Sequence, residues 1–447
     1  MTTNKELCVN KRNKLLSKEE LEGMSKEELI DKVIQLQAHN LQLKNIIQKR
    51  DPDGKISEES PSKKKRKFDF SKAYKRHILL KFLYLGWDYQ GYASQEDSVS
   101  TIEYHLFRAL EKTCLIEKRE NANYHRCGRT DKGVSAFSQT ISIDVRSKFP
   151  PEDQMLPESL ENELNYCVML NQSLPDDIRC ISWHPLEDDT FSARFNCQER
   201  SYRYFFPRGK LSIPAMREGC VHLQGSHDFR NLCKMDVANG VVSFTRTIES
   251  AVIKEIAQDG SDDPHSMMFL EIKSNAFLWH QIRCIMSVLL LIGLEKEKPE
   301  VILELLNVQK NPRKPQYSLA SDVPLNLYET SFEDKDSWVL NQQTLERVIR
   351  DLETQWMFSS IKTTMMLEMA KDLKRMLLEK FPEASEVGCS GEELIQGAKM
   401  KNYKRLMERS KGESLEDRIE HYVKKRRLNV NQQCSYWTTV SSTTNLS

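Results

Sequence analysis

One stretch constrains this chain more than any other: His125-Arg-Cys-Gly-Arg-Thr-Asp-Lys-Gly-Val-Ser-Ala136. Asp131 stands between Arg129 and Lys132, with Gly128 and Gly133 on either side. Glycine permits backbone conformations and close approaches that other residues do not, so the stretch reads as a tight loop. The residues that follow, Phe137–Val145 (FSQTISIDV), alternate apolar and polar, as a strand with one covered face does. A loop that feeds such a strand fixes Asp131 at the edge of a sheet, on a rigid support. Neighbouring cations favour an ionised carboxylate. Asp131 is therefore expected to be either a charged, ligand-facing group or half of a surface ion pair at a plain turn.

The two glycines have the spacing of a phosphate-binding loop, but that motif ends in Gly-Lys-Ser/Thr. Here Gly133 is followed by Val134 and Ser135, and the lysine precedes the glycine. A nucleotide-hydrolase reading fails on that order. Ser226-His227-Asp228 has the letters of a catalytic triad, yet adjacent residues do not converge as nucleophile, base and orienter. The eleven cysteines are scattered without a Cys-x-x-Cys pair, which points to reduced thiols and no metal site. The longest apolar run, Ile285–Leu294, suits a buried helix and is too short to span a membrane. The net charge is +1, so a nucleic-acid binder of this composition needs locally clustered basic residues.

In chain order, residues 1–24 are expected to be a disordered amino terminus, and 25–50 to form a helix. Ser25-Lys-Glu-Glu28 is a capping box, and Leu29, Leu36 and Leu43 recur every seven residues with Val33, Asn40 and Ile47 three to four away. That pattern suits either a short coiled coil or an amphipathic helix lying on the protein body. Residues 51–73 read as a linker carrying the basic tract Lys63-Lys-Lys-Arg-Lys67, favoured here as a nuclear localisation signal. Arg76–Leu85 reads as a strand and Thr101–Thr113 as a helix with Ile102, Leu106 and Leu110 on one face. Pro150–Glu163 reads as a polar insertion. In Gln198–Phe206 the strand periodicity puts Tyr202, Tyr204 and Phe206 on one face, Arg203 and Phe205 on the other. Val241–Ile256 and Met267–Ile272 read as further strands. Asn275-Ala-Phe-Leu-Trp-His-Gln-Ile-Arg-Cys-Ile-Met286 opens an apolar helix that contains Arg283, and a buried arginine calls for a partner. From Leu340 to about Lys380 the chain is helical and amphipathic. Lys399, Lys401, Tyr403, Lys404 and Arg405, with Lys424–Arg427 further on, interleave basic and aromatic residues and form a candidate RNA-phosphate surface.

His125-Arg-x-Gly-Arg-Thr-Asp-x-Gly-Val-Ser-Ala136 resembles the catalytic motif of the TruA family of tRNA pseudouridine synthases. Arg-x-Tyr-x-Tyr at 200–204, the helix around Arg283, and Val323-Pro-Leu-Asn-Leu-Tyr328 are similar to that family's later motifs, in its order. The resemblance covers about Tyr74–Phe332, with weaker similarity over 396–427, and favours the eukaryotic branch. It implies an α+β, TruA-type pseudouridine synthase fold: two α/β halves with antiparallel sheets joined around a central cleft, plus helical amino- and carboxy-terminal extensions. The halves are placed at 74–197 and 198–335, the carboxy-terminal extension at 336–428 and a disordered tail at 429–447.

By the same resemblance Asp131 is the catalytic aspartate, Arg129 displaces the target base, and Arg283 pairs with Asp131. Tyr202 contacts the uracil and Leu327 packs against it. The implied reaction isomerises uridine to pseudouridine in the anticodon stem-loop of tRNA, at positions 38 and 39, with no cofactor and no metal. The implied assembly is a homodimer acting on tRNA; the apolar-run lengths point away from membranes, and the Lys63–Lys67 tract to the nucleus, with the cytoplasm as a second location. A catalytically inactive RNA-binding protein on the same scaffold, or a coiled-coil interaction protein, are the alternatives, and turnover separates them.

Overall fold

The computed structural model describes residues 68–95, 98–256, 263–333, 337–384, 387–397 and 402–426. The heptad run, the Lys63–Lys67 tract, Lys399, Lys401 and the 429–447 tail lie outside them. Strand β1 (Tyr74–Tyr84) is buried along nearly its whole length, with Ile78, Leu79, Leu80 and Phe82 fully inaccessible. A near-continuous apolar run of this kind suits a central strand covered on both faces. Each such side chain contributes about 1.5–3 kcal/mol on burial.

In chain order there follow α1 (Ile102–Lys112), β2 (His125–Arg126), β3 (Ser135–Ser147), α2 (Pro157–Asn162), α3 (Tyr166–Asn171), β4 (Ile178–Pro185) and β5 (Cys197–Pro207). Then come α4 (Ile213–Leu223), β6 (Gly225–Asp228), β7 (Thr245–Glu255), β8 (Met267–Ser274), α5 (Gln281–Gly293) and α6 (Val301–Leu306). The chain continues through β9 (Arg313–Pro315), β10 (Leu325–Phe332), α7 (Gln342–Lys380), β11 (Lys411–Ser414) and α8 (Leu415–Arg426). Thr101 caps α1 by accepting from the Tyr104 N–H at 3.4 Å, and Ile102, Leu106 and Leu110 face the core as their spacing requires. Tyr202, Tyr204 and Phe206 are buried along β5 while Arg203 and Phe205 are half-buried, as the alternation predicts.

Nine of these eleven strands form one sheet in the order β4-β1-β3-β10-β5-β8-β7-β6, with β2 paired to β3, and β9 and β11 form a small second sheet. The expected antiparallel sheets of the two halves are here one continuous mixed sheet. The pairs on either side are antiparallel, and β10 joins them: antiparallel to β5, parallel to β3 through Asn326↔Ser135 and Leu327↔Ala136. A parallel pair cannot be closed by a hairpin, and here 177 residues separate the end of β3 from the start of β10. The seam lies at the start of β3, directly after the Asp131 loop. Every residue of α5 is buried, which explains its continuous apolar run.

Two expected extensions take a different form. Pro150–Glu163 is not a loose polar insertion: Glu163 is buried and pairs with buried Arg76 at 3.0 Å, and also accepts from Ser147 Oγ at 2.6 Å. The carboxy-terminal part is more than helix, since β11 pairs antiparallel with β9. Among the described residues no helix is long and apolar enough to cross a membrane.

Candidate active site

The Asp131 loop is held from two sides. Tyr84 at the end of β1 bonds Thr130 Oγ1 at 2.7 Å inside the core, and Tyr92 N–H donates to Thr130 O at 3.1 Å. Gly133 N–H donates to Tyr89 O at 3.2 Å. Gly133 has φ +77°, and a Cβ there would lie 3.1 Å from Asp322 Cγ. A Cβ on Gly86 would fall 2.0 Å from Val134 O, so only glycine fits beside the start of β3. Gly128 meets neither condition: its φ is not positive and nothing lies near a Cβ there. The tight-turn expectation holds for Gly133 and not for Gly128.

Asp131 lines a cavity of about 610 Å³ together with Arg129, Tyr202, Phe277, Trp279, His280, Arg283 and Leu325. That size suits a drug- or nucleotide-sized guest. Trp279 Nε1–H donates to Asp131 Oδ1 at 3.2 Å, and His280 Nε2 lies 3.4 Å from Oδ2. Each carboxylate oxygen thus faces a ring nitrogen of one of two successive residues. His280 adopts φ +57°, uncommon for a residue with a Cβ, immediately before α5 begins. Its Nδ1 is buried with no hydrogen-bond partner among the described residues. Burial, then the charges of Arg283, Lys234 and Lys314, push its pKa down to about 4, so His280 is a neutral imidazole.

The electrostatics of Asp131 reverse the expectation from its neighbours in sequence. Burial raises its pKa above the usual carboxylate value. Arg283, the Trp279 hydrogen bond and Lys234 oppose this, and Asp322 adds to it. Lys234 stands over Trp279, its Nζ 4.0 Å from the ring centroid.

Arg283 lines the cavity but makes no direct ion pair with Asp131. Its Nε–H donates to Ala320 O at 2.9 Å, its Nη2–H to Gln396 Oε1 at 2.9 Å, and Nη2 lies 3.7 Å from Asp322 Oδ2. Its effect on Asp131 is through space. Arg129 is exposed and lines the cavity, with no hydrogen bond or ion pair among the described residues. Tyr202 is buried edge-to-face against Phe277, ring centroids 5.2 Å apart, and burial raises its phenol pKa. Leu327 is fully buried opposite Tyr202 and does not line the cavity. Leu325, two positions earlier, does.

Trp279, His280 and Lys234 were not picked out from the sequence as site residues. The first two sit four and three positions before Arg283 in the same segment, an available signal. Of the proposed RNA-binding residues, Lys404 and Arg405 are exposed, while Tyr403 is half-buried and donates its hydroxyl to Glu297 Oε1 at 2.5 Å. Tyr403 and Lys404 line a second cavity of about 600 Å³ with Lys296 and Arg409. Its acid, Glu392, is paired with Lys296 at 2.5 Å, so no unpaired carboxylate faces that space.

Comparison with known proteins identifies the family. The family described as tRNA pseudouridine synthase matches residues 220–333, from the end of α4 to the end of β10. The chain is 44% identical over 439 residues to tRNA pseudouridine(38/39) synthase of Bos taurus, covering 92% of this chain and 91% of that protein. It is 38% identical over 323 residues to the protein of the same name from Saccharomyces cerevisiae, covering 70% of this chain and 72% of that one. It is 31% identical over 274 residues to tRNA pseudouridine synthase A of Archaeoglobus fulgidus, covering 60% of this chain and 91% of that one. Similarity on this scale, along nearly the full length of both chains in the first case, makes this chain a member of the TruA family of tRNA pseudouridine synthases.

Proposed function

We propose that this chain is a tRNA pseudouridine(38/39) synthase, converting uridine to pseudouridine in the anticodon stem-loop of tRNA. The observation that carries the reading is the Asp131 carboxylate, gripped by Trp279 and His280 in a nucleotide-sized cavity walled by Tyr202. The test is turnover on a tRNA transcript, with loss of product when positions 38 and 39 are changed from uridine.

The reaction breaks the uracil N1–C1′ bond, turns the base and joins C5 to C1′. C5 loses its proton and N1 gains one, so atoms balance without a redox partner. A base inside a stem must first leave the stack, at a cost of a few kcal/mol. Arg129, exposed and lining the cavity, is suited to fill the gap. Tyr202 and Leu325 offer flat and apolar surface to the flipped base. Asp131 acts ionised, as nucleophile at C1′ or as base at the ribose.

The protein acts as a homodimer in this reading. What supports it is α7, whose Phe358, Ile361, Met365, Met369, Leu373 and Met376 recur at helical spacing and are all exposed. A second copy of the chain is the partner that would cover them. Sedimentation checks this: Met365→Lys with Met369→Lys yields monomer, and a dimer that survives both changes counts against α7. The Tyr403, Lys404 and Arg405 region, with Lys399 and Lys401, contributes phosphate contacts, and the Lys63–Lys67 tract directs the protein to the nucleus. Deleting residues 1–67 then shifts the protein to the cytoplasm and leaves turnover in vitro intact; unchanged nuclear accumulation contradicts the signal.

A further inference from the structure

Arg283 is the cation that most strongly favours the charged form of Asp131, yet its own partners lie elsewhere. One of them comes from far along the chain. Residues 394–396 run along residues 319–321: Ser321 N–H donates to Leu394 O at 2.7 Å, Gln396 N–H donates to Leu319 O at 2.8 Å, and Ala320 and Ile395 form a β-bridge. This backbone ladder fixes where the Gln396 side chain can go. Its Oε1 accepts from Arg283 Nη2 at 2.9 Å, while Ala320 O, in the same ladder, accepts from Arg283 Nε at 2.9 Å. A guanidinium only donates, so the oxygen of the amide is the atom that must face it.

The acceptor is neutral, and that choice has a consequence. An amide orients Arg283 without cancelling its charge. A carboxylate in the same place would form an ion pair with Arg283 and take its field away from the cavity. Asp322 already stands 3.7 Å from Nη2, so the guanidinium is poised between a weak acidic contact and a neutral one.

We propose that Gln396 is a positioning residue for catalysis: through one hydrogen bond to Arg283, the carboxy-terminal segment sets where the guanidinium sits beside Asp131 and how much of its charge the carboxylate feels. The inference rests on Asp131 being the catalytic carboxylate. It extends the site beyond the cavity and beyond residues 220–333, which the family description covers.

The experiment is single-turnover pseudouridine formation on a tRNA transcript across pH, for wild type, Gln396→Glu, Gln396→Met and Asp131→Asn. Gln396→Glu moves the acid limb of the rate profile to higher pH by about one unit, the scale on which one nearby cation acts on a carboxylate. Gln396→Met keeps the side chain's bulk, removes the acceptor, and lowers the single-turnover rate about tenfold with unchanged affinity for tRNA, the scale of one hydrogen bond to a charged group. A loss caused only by loosened structure would lower the melting temperature and leave the limb of the surviving activity in place. A wild-type limb in Gln396→Glu together with a wild-type rate in Gln396→Met overturns the proposal. If Gln396→Glu does not fold, a wild-type rate in Gln396→Met alone overturns it. Activity in Asp131→Asn is a separate failure, that of the underlying assignment.

Discussion

Trp279 donates its indole N–H to Asp131 Oδ1 at 3.2 Å, across 148 residues of sequence. The bond orients the carboxylate and favours its charged form, against the burial that disfavours it. Trp279→Phe keeps an aromatic ring under Lys234 and removes the donor. It is expected to lower kcat about tenfold, the scale of one hydrogen bond to a charged group, with tRNA affinity unchanged. A wild-type kcat would show that the bond does not matter to the reacting carboxylate.

The raised pKa of Asp131 fixes the sign of two pH effects. If the ionised form reacts, the acid limb of the rate profile lies above the usual carboxylate range. For stability, a carboxylate whose folded pKa is raised costs nothing below its unfolded pKa, near 3.8, and destabilises as pH rises through the folded value. Asp131→Asn therefore melts at or above the wild-type temperature at pH 7, and the difference closes as pH falls below about 4. His280 adds the opposite slope. Its folded pKa of about 4 lies below its ordinary value of 6.5, so the stability linked to its neutral form is present above pH 6.5 and is lost as pH falls through this window. Melting curves of Asp131→Asn and His280→Asn, each against wild type, separate the two contributions. A wild-type melting temperature above that of Asp131→Asn at pH 7 would contradict the raised pKa.

Arg76 and Glu163 form an ion pair with both side chains 1% exposed. Removing one partner leaves the other charged, buried and uncompensated. Glu163→Ala is expected to cost about 3–5 kcal/mol in chemical denaturation, as broken buried pairs do. A loss below about 1 kcal/mol, the range of surface pairs, would place the segment 150–163 outside the cooperative core.

Much of the site was legible in the sequence because it depends on local pattern. Asp131 sits in a glycine-bounded loop that runs into an alternating strand, and Tyr202 belongs to a strand whose two faces separate cleanly. What was not legible depends on distant pairing. The large sheet is closed by β10, whose parallel partner β3 is far away in sequence. The choice between Leu325 and Leu327 turns on how deep each lies once β10 has paired with β5, since both share a face. Trp279 and His280 meet Asp131 where His280 takes a left-handed backbone conformation, which no periodicity announces. Arg283 was expected to need a partner, and does; the chain supplies Gln396, Ala320 and the longer Asp322 contact rather than Asp131. Glu163 looked like surface because its neighbours are polar, and Arg76 on β1 with Ser147 on β3 explains its burial.

Lys404 and Arg405 are exposed and lie outside the Asp131 cavity. If they contact phosphates, affinity for tRNA falls steeply with salt because bound counterions are released. Lys404→Glu with Arg405→Glu should weaken binding and flatten the plot of log affinity against log salt by about two phosphate contacts. Turnover at saturating tRNA should persist. Unchanged affinity and slope in a filter-binding titration would return these residues to ordinary solvated surface.

The central claim is that Asp131 carries the chemistry. Asp131→Asn keeps the shape of the side chain and its neighbours Trp279 and His280, and removes only the carboxylate. The measurement is pseudouridine formed by the purified variant at positions 38 and 39 of a tRNA transcript, alongside its tRNA affinity. The account predicts tRNA bound as by wild type and no pseudouridine formed. Measurable turnover by Asp131→Asn would contradict it.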